Sequence, residues 1–509
     1  MNIVKRINVF SLVNLITFTL VIPFNSIFTE ACTSMMIGKN ATVDGSVILA
    51  ANDDWSGTPS HLVRVPRKKH NPDETFTLIR GEKIPQVDVT YAYTFASCVY
   101  DTGTRKDESW LFGMNENQVA VSMDGVYNFK ELSLDGHLLE ADDLSLLVLE
   151  RAKSAREAVR MLGALITKYG FNTSSIYGAE GTVTMAIADP NEGWWFEPVP
   201  GGKWIAKKVP DNMASFRPNS FGIHEVDLDD KDNFMMSEDL VDYAIEKGWF
   251  DPKENVPFDF AKVYTQRVER GNETDTYNNL RRWRMASLLS GQEQSEDELI
   301  YEVVPTKKIT VRDAMAVLRD ALEGTKYDLS KVPEAGRYGD PFFKGMGDSI
   351  SRSGTVVSQV VHLRSWMPNE IGGVMWVAFD TPATSVYVPW YAGITETPKG
   401  YTIGYAQQYD PASAWWRFQE VGNLSRRQFN KAAEKDVKPV WKKFEDEEFA
   451  LAGAIEKTAL DLYEKSSKEE SIQFLNNYSN AQGMKASEMA LDLANKLRGK
   501  YLDNSVIDW

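Results

Sequence analysis

Residues 32–55 have the sequence CTSMMIGKNATVDGSVILAANDDW. Two apolar segments, which begin at Cys32 and Ser46, flank a polar stretch that contains Asp44-Gly45, a strong turn signal between strands. If the segments form a hairpin, the numbers of paired residues sum to roughly 84–89, depending on the turn register. Cys32 then faces the stretch from Asn52 to Ser56. The sequence therefore predicts a thiol beside a pair of carboxylates, which can accept hydrogen bonds and orient a nucleophile.

A leader-like segment precedes this hairpin. A basic pair at residues 5–6 is followed by an apolar stretch from Val9 to Phe24, and Thr29-Glu30-Ala31 completes the segment. Small residues at the first and third positions before a cut suit a signal peptidase. The apolar stretch is short and interrupted for a membrane span, which takes about 20 residues. The sequence predicts that residues 1–31 are a signal peptide, that the protein is exported to the periplasm or the extracellular space, and that no stable membrane span is left.

Cleavage after Ala31 makes Cys32 the first residue, and three roles compete for it. The first is a lipid anchor, although Thr29 and Glu30 stand where lipoprotein signals hold an aliphatic and a small residue. The second is a structural disulfide with Cys98, the other of the two cysteines. The third is an N-terminal nucleophile that carries its own base, because an α-amine pKa of about 7.7–8.0 lies close to a thiol pKa of about 8.5.

The composition excludes several classes of protein. The chain has 509 residues, with 56 Lys and Arg against 72 Asp and Glu, and its net charge is -16. Nucleic-acid binders need a basic surface, so no nucleic-acid partner is expected. Two cysteines exclude a disulfide-rich scaffold and a zinc cluster of several thiolates. None of the five histidines has the spacing of a metal-binding motif, so the sequence predicts neither a metal nor another cofactor.

Further motifs follow the hairpin in a fixed order. They are Gly113-Met-Asn115-Glu116 with Val119–Ser122, Leu228-Asp229-Asp230 with Asp232–Phe234, Arg352 with Thr355 and Ser358, and Pro368–Gly373. Together with Cys32-Thr33-Ser34, Gly38-Lys39, Asp44-Gly45-Ser46 and Asn52-Asp53-Asp54, they resemble the cysteine-type N-terminal-nucleophile (Ntn) dipeptidases, relatives of penicillin V acylase and bile salt hydrolase. The resemblance implies hydrolysis of amide bonds, dipeptides as substrates, an αββα sandwich and no metal cofactor.

The resemblance also implies roles for single residues. Cys32 matches the nucleophile. Asp54 matches the conserved aspartate of the acylases, because both precede a tryptophan, and Asp53 is the alternative. Arg352 resembles a late arginine of the acylases and would add positive potential, since Ala51 stands where many relatives hold an arginine.

Two residues bear on the oxyanion hole. Asp124 falls where the acylases hold an asparagine of that hole, but an ionised aspartate would repel an oxyanion. Asn219, in Phe-Arg-Pro-Asn-Ser, is the candidate for the other donor, although a loop asparagine is often simply a turn residue. Cys98 has no matching role and is expected to be a small buried hydrophobic residue.

The remaining chain predicts alternating strands and helices. Helices are predicted at 142–151, 154–170 and 311–322, and strands at 182–188, 194–197, 203–206, 355–363, 373–379 and 385–391. This order indicates the α+β class, and the resemblance specifies a four-layer αββα Ntn-hydrolase sandwich. We expect this domain to span residues 32–410, with an insertion around 227–294. Two long amphipathic helices predict a helical C-terminal extension over residues 411–509.

The sequence thus predicts an exported cysteine dipeptidase that forms a thioester on Cys32. Small peptides are the expected partners, and assembly into a homo-oligomer is left open. One alternative is an amidase or acylase of N-acylated amines on the same fold. The other is a lipid-anchored binding protein without enzymatic activity.

Overall fold

The computed structural model describes residues 32–55, 58–99, 112–126, 136–172, 181–265, 276–343, 349–406 and 408–501. The predicted signal peptide, residues 1–31, lies outside these ranges. Two large antiparallel sheets lie at the centre of the described part of the chain, and their strands are numbered here in chain order.

The first sheet contains both strands of the hairpin predicted from the sequence. Its strands, in spatial order, are β16 (Glu302–Val303), β14 (Ala214–Arg217), β1 (Thr33–Ile37), β2 (Val47–Asp54), β17 (Thr355–Leu363), β18 (Val374–Phe379) and β19 (Val388–Tyr391). Every residue of β2 is buried, because helices cover one face of this sheet and the second sheet covers the other.

The second sheet stacks on the first. Its strands, in spatial order, are β15 (Phe234–Met236), β13 (Lys203–Lys208), β12 (Gly193–Val199), β11 (Thr182–Ala188), β10 (Ala120–Val126), β9 (Phe112–Asn115), β8 (Tyr93–Cys98) and β3 (Ser60–Val65). Two small ribbons pair β4 (Lys68–Lys69) with β7 (Val89–Thr90) and β5 (Thr75–Thr77) with β6 (Lys83–Pro85). Strands β10 and β11 face β1 and β2 across the interface between the sheets.

Helices form the two outer layers. On the second sheet lie α1 (Ala141–Arg151), α2 (Ala155–Tyr169) and α3 (Leu240–Glu246), and on the first lie α5 (Thr276–Ser290) and α6 (Val311–Leu318). Ser154 caps α2 at the start of the predicted helix, because its hydroxyl accepts a hydrogen bond from the Glu157 N–H. Short helices α4 (Phe260–Tyr264) and α7 (Asn369–Gly372) occur in connections, as do 3₁₀ turns at Pro252–Glu254, Leu329–Lys331, Pro333–Ala335, Pro382–Thr384 and Lys399–Tyr401.

The C-terminal part is helical. It contains α8 (Ala414–Arg426), α9 (Phe429–Lys431), a π-helical segment at Ala432–Val437, α10 (Lys438–Lys465) and α11 (Lys468–Lys500). Helix α11 packs along β19, the edge strand of the first sheet. The layers and these helices confirm the predicted fold class, a four-layer αββα sandwich with a helical extension. The boundaries at residues 31 and 410 and the insertion at 227–294 stay predictions. Among the described helices, none is both long enough and apolar enough to cross a bilayer.

Two predicted elements differ from the structure by more than two residues at one end. The helix predicted to reach residue 322 ends at Leu318, and Leu322 has a φ of 68°, which is incompatible with a continuing helix. The strand predicted from residue 385 begins at Val388, because Pro382 starts a 3₁₀ turn before it.

The first hairpin has the predicted geometry. Thr33 pairs with Asn52 and Ile37 pairs with Ile48, so paired residue numbers sum to 85, within the predicted range. In the turn, an Asp44 carboxylate oxygen accepts hydrogen bonds from the N–H and the hydroxyl of Ser46, at 3.1 and 2.6 Å. Continuing this register by one pair puts Cys32 opposite Asp53.

We expect Gly483→Ala, in α11, to lower the free energy of unfolding by about 1–3 kcal/mol through overpacking. A Cβ at Gly483 would lie 2.5 Å from the buried ring of Trp390 in β19. Gly453→Ala in α10 is the matched control, because this glycine is exposed and nothing lies within 4 Å of its added Cβ. We expect the control to stabilise the protein by about 0.5–1 kcal/mol. Urea denaturation measures both, and equal effects would contradict the packing of α11 on the sheet.

Candidate functional site

Cys32 lies directly before β1, and its side chain faces the second sheet. The residue is 3% exposed, and its Sγ donates a hydrogen bond to Oδ1 of Asp53 at 3.6 Å. Side chains alternate along a strand, so Cys32 and Ser34 share a face, and Ser34 contacts Asp124 on β10. The candidate nucleophile is therefore located between the two sheets, at one end of β1.

The carboxylate that contacts the thiol is that of Asp53 rather than Asp54, which the sequence ranks first. Adjacent residues of a strand point to opposite faces, so only one of the pair can share a face with the Cys32 side chain. Asp54 still acts on the thiol through its backbone N–H, which lowers the pKa of Cys32. Its carboxylate lies on the other face of β2.

Asp54 and Arg352 form a buried ion pair on that other face. Arg352 Nε lies 3.5 Å from Asp54 Oδ2, and both side chains are fully buried. The hydroxyl of Thr355 donates to Asp54 Oδ1 at 2.6 Å. Burial raises the pKa of Asp54, and the positive charge of Arg352 is the largest effect that lowers it again. The guanidinium of Arg352 thus lies buried at the first hairpin, beside Asp54.

Arg281, which the sequence analysis does not identify, connects the nucleophile to Asn219. This fully buried side chain extends from α5. Its Nη1 donates to the backbone oxygen of Cys32 at 2.6 Å and to the Thr33 hydroxyl at 2.9 Å. Its Nη2 donates to Oδ1 of Asn219 at 2.8 Å and to Oδ1 of Asn278 at 2.9 Å. The pair Asn278 and Arg281, three residues apart in a polar helix, is the signal that could have indicated a buried polar face.

Asn219 retains one unused donor. Because Arg281 can only donate, it fixes Oδ1 of Asn219 as the acceptor, which leaves the amide nitrogen on the other side. That Nδ2 is buried and has no hydrogen-bond partner among the described residues. Glu197 anchors the loop that follows β14 and contains Asn219, because its carboxylate accepts hydrogen bonds from the backbone N–H groups of Gly222 and Ile223. Asn219 is therefore an oriented donor that Arg281 links to the backbone of Cys32.

Cys98 lies in the same network. It is buried as the sequence predicts, but it is more than a hydrophobic filler, since its Sγ donates to Oδ2 of Asp53 at 3.2 Å. The two oxygens of Asp53 thus accept hydrogen bonds from the two thiols, and no disulfide joins Cys32 to Cys98. The bond from Cys98 holds the Asp53 carboxylate in place from the second sheet.

Asp124 brings a third carboxyl group to the site. It is fully buried in β10, and its Oδ1 accepts a hydrogen bond from the Ser34 hydroxyl at 3.0 Å. Burial raises its pKa well above the usual value, and the hydrogen bond from Ser34 is the strongest opposing effect. The neighbouring Asp54 and Asp53 raise it further.

These carboxylates disfavour the thiolate in the uncleaved chain. Burial is the main cause that raises the pKa of the Cys32 thiol well above its usual value. The negative charges of Asp53, Asp124 and Asp54 raise it further, in that order. Burial also raises the pKa of Asp53 to about 7. A positive charge placed at this end of β1 would therefore favour the thiolate strongly.

The five residues predicted for the site, Cys32, Asp53, Asp54, Asn219 and Arg352, are thus all buried around the first hairpin, with the Asp54–Arg352 pair on the opposite face of β2 from the thiol. The arrangement offers a nucleophile, an orienting carboxylate and a free amide donor. In the part of the chain that the structure describes, no group of three or more His, Cys, Asp or Glu side chains could hold a metal ion.

Comparisons with known proteins give consistent matches. The sequence profile of "Peptidase family C69" matches residues 31–443. A "Probable dipeptidase" of Latilactobacillus sakei is 29% identical over 421 residues, which cover 80% of this chain and 84% of that protein. A "Probable dipeptidase B" of Streptococcus pyogenes serotype M1 is 26% identical, over 92% of this chain and 90% of that protein. The solved structure of penicillin V acylase from Agrobacterium tumefaciens is 14% identical, covers 71% of this chain and 86% of its own, and has a TM-score of 0.33.

We expect Arg281→Met to lower the free energy of unfolding by about 2–4 kcal/mol. The change leaves four buried oxygen acceptors without their donor, and each such loss costs about 1–3 kcal/mol before relaxation. Arg160→Met is the control, because Arg160 is exposed on α2. Its effect should stay within about 0.5 kcal/mol. Guanidinium denaturation of both variants is the measurement, and equal stabilities would show that Arg281 does not hold the site together.

Proposed function

Because the chain belongs to Peptidase family C69 and is therefore a peptidase, we propose that it is an exported dipeptidase with Cys32 as an N-terminal nucleophile. The observation that carries this proposal is the position of Cys32, which follows a leader-like segment in the sequence. Its thiol contacts Asp53, and its backbone oxygen is held by Arg281. The dipeptidase names of the relatives support small peptides as substrates.

The reaction needs two steps at one residue. The Cys32 thiolate attacks the scissile carbonyl carbon, while the free α-amine of Cys32 takes the thiol proton and then transfers it to the leaving amine. Breaking the amide bond leaves a thioester between Cys32 and the amino-terminal residue of the substrate. Water then attacks the thioester carbonyl, and the α-amine takes a proton from that water. The amine passes this proton to the Cys32 sulfur, which leaves as the thiol and releases the carboxylic acid.

The surrounding residues have separate tasks in this scheme. Asp53 orients the thiol through its 3.6 Å contact. The free Nδ2 of Asn219 is the donor available to the oxyanion that develops on the carbonyl oxygen. Arg352 offsets the charge of Asp54 and adds positive potential behind the hairpin. Arg281 positions both Cys32 and Asn219.

Removal of the leader is the activating step in this proposal. In the uncleaved chain, burial and three carboxylates keep the thiol protonated near neutral pH. Cleavage after Ala31 creates an α-ammonium group on the same residue, and a positive charge within a few ångströms lowers a thiol pKa. The chain is then a catalyst only after processing, which suits export in an inactive form.

The two alternatives are weaker. A lipid anchor would require acylation of a thiol that is buried and bonded to Asp53, and acylation of the α-amine would remove the base. An acylase of N-acylated amines would use the same nucleophile. It would need a site that accepts an acyl group where a dipeptidase accepts the free amino group of its substrate.

Cys32→Ala should abolish hydrolysis of dipeptides, with kcat/KM reduced by roughly a thousandfold or more, since the variant has no nucleophile. The midpoint of thermal unfolding should change little, because alanine fits the space of a cysteine. Cys98→Ala is the matched control and should reduce kcat/KM far less, since Cys98 only supports Asp53. Release of free amino acids from a dipeptide panel is the assay. Unchanged turnover in Cys32→Ala would require a different catalytic group.

We expect the mature protein to begin at Cys32 without attached lipid, as intact mass and N-terminal sequencing would show. The pH of half-maximal alkylation of Cys32 by iodoacetamide should be lower in the mature protein than in Ala31→Leu, which removes the small residue that a signal peptidase needs before the cut. The direction follows from the new ammonium group, which stabilises the thiolate. A diacylated Cys32, or equal alkylation profiles, would contradict the proposed activation.

A further inference from the structure

Asp124 is a buried carboxyl group for which the proposed reaction has no use. Its Oδ1 accepts from Ser34, whereas its Oδ2 is buried and has no hydrogen-bond partner among the described residues. Asp53 is engaged by two thiols and Asp54 by Arg352 and Thr355. Asp54 Oδ2 also has no hydrogen-bond partner among the described residues, but it lies beside Arg352 on the opposite face of β2 from the thiol. Of the two carboxyl groups on the Cys32 side, Asp53 and Asp124, only Asp124 thus has an oxygen left for another ligand.

We propose that Asp124 binds the α-ammonium group of the substrate's amino-terminal residue. This inference rests on the proposed function and goes further, because it assigns a residue that selects substrates with a free amino terminus. The ligand is an alkylammonium cation two bonds from the carbonyl carbon under attack.

The distances along β1 fit such a substrate. Ser34, which holds Asp124, lies on the same face as Cys32 and two residues further along, or about 6.5–7 Å. In a substrate poised for attack, the carbonyl carbon lies roughly 3–3.5 Å from the nucleophile. The α-nitrogen is about 2.5 Å from that carbon, given the bond lengths of the backbone. With one charge-assisted hydrogen bond of about 2.8 Å added, these lengths reach about 8–9 Å, which is enough to pass the position of Ser34 along β1 and to meet the carboxyl group that Ser34 contacts.

The charges of the site point to a cation as the ligand. A buried carboxylate is stable only when a positive charge or several donors compensate it. Asp124 lies close enough to Asp53 and Asp54 for their charges to raise its pKa, and close enough to Arg281 for that charge to lower it. When the three carboxyl groups are ionised, their three negative charges are matched by the positive charges of Arg281, Arg352 and the α-ammonium of Cys32. Formation of the thiolate then adds a fourth negative charge that has no positive partner. The substrate ammonium would supply the missing positive charge.

Two consequences follow for the reaction. An N-acylated substrate would place a neutral amide against Oδ2 of Asp124, so the site would discriminate against it. Binding of the ammonium would also neutralise one of the charges that raise the pKa of the Cys32 thiol. The correct substrate would therefore help to form the thiolate that attacks it.

Alanyl-alanine and propionyl-alanine test this proposal, since they differ only in the ammonium group. Chromatography of released alanine gives kcat/KM for each with mature wild type, Asp124→Asn and Asp124→Ala. We expect wild type to prefer alanyl-alanine by about a hundredfold or more, the usual effect of a buried charge pair. In both variants the preference should fall to about threefold or less, with the loss expressed mainly in KM for alanyl-alanine.

Asp53→Asn is the matched control, because it changes a carboxylate that contacts the thiol and should slow both substrates alike. A wild-type preference retained in either folded Asp124 variant would overturn the proposal. So would an equal loss for both substrates, which would indicate a role at the oxyanion or in packing. If wild type cleaves alanyl-alanine through Cys32 and the Asp124 variants keep the preference, only this inference fails. If wild type does not cleave alanyl-alanine, the proposed dipeptidase function fails with it.

Discussion

The register between β1 and β2 is the constraint on which the site depends. Pairing with a sum of 85 puts Cys32 opposite Asp53, and a slip by one residue would turn Asp53 to the opposite face and replace it with its neighbour. The turn fixes this register through Asp44, which bonds to Ser46 and also to His362 on β17. On the face of β2 that points away from the thiol, Asn52 Nδ2 donates to the backbone oxygens of Ile350 and Leu318, at 2.9 and 3.0 Å. The hairpin is thereby held from both sides.

Around this hairpin the protein concentrates charges that a stable core would avoid. Three carboxyl groups and two arginines are buried around it, and the pKa values of all three carboxyl groups are raised. Such shifts cluster at functional sites, because the groups are arranged for a reaction rather than for stability. The arginines do not simply cancel the acids: Arg352 compensates Asp54 from one face, while Arg281 reaches the backbone of Cys32 and the amide of Asn219. The thiol itself is left facing negative charge.

Local signals were enough to predict the hairpin, several strands and the capped helix that begins after Ser154, because turn residues and periodicity act over a few positions. They could not choose between Asp53 and Asp54, since the predicted range of registers admitted both and one step reverses the face of a strand. Arg281 and the bond from Cys98 to Asp53 join segments far apart in the sequence, so only tertiary packing creates them. Asp124 was located through the resemblance, but its free oxygen could be recognised only from its neighbours.

The scarcity of histidine and the acidity of the site have one explanation if the cations that favour the thiolate are amino groups that reach the site only after folding. An enzyme that uses a histidine side chain as its base contains the proton acceptor as soon as it has folded, and it needs no cleavage to become active. Here burial and the neighbouring carboxyl groups raise the pKa of the thiol, so a cation that arrives beside Cys32 would favour the thiolate. In the proposed scheme the first cation is the amino group released by cleavage before Cys32, and the second is the amino group of the substrate at Asp124. The same negative potential that keeps the uncleaved chain inactive would then attract the substrate that the mature enzyme hydrolyses.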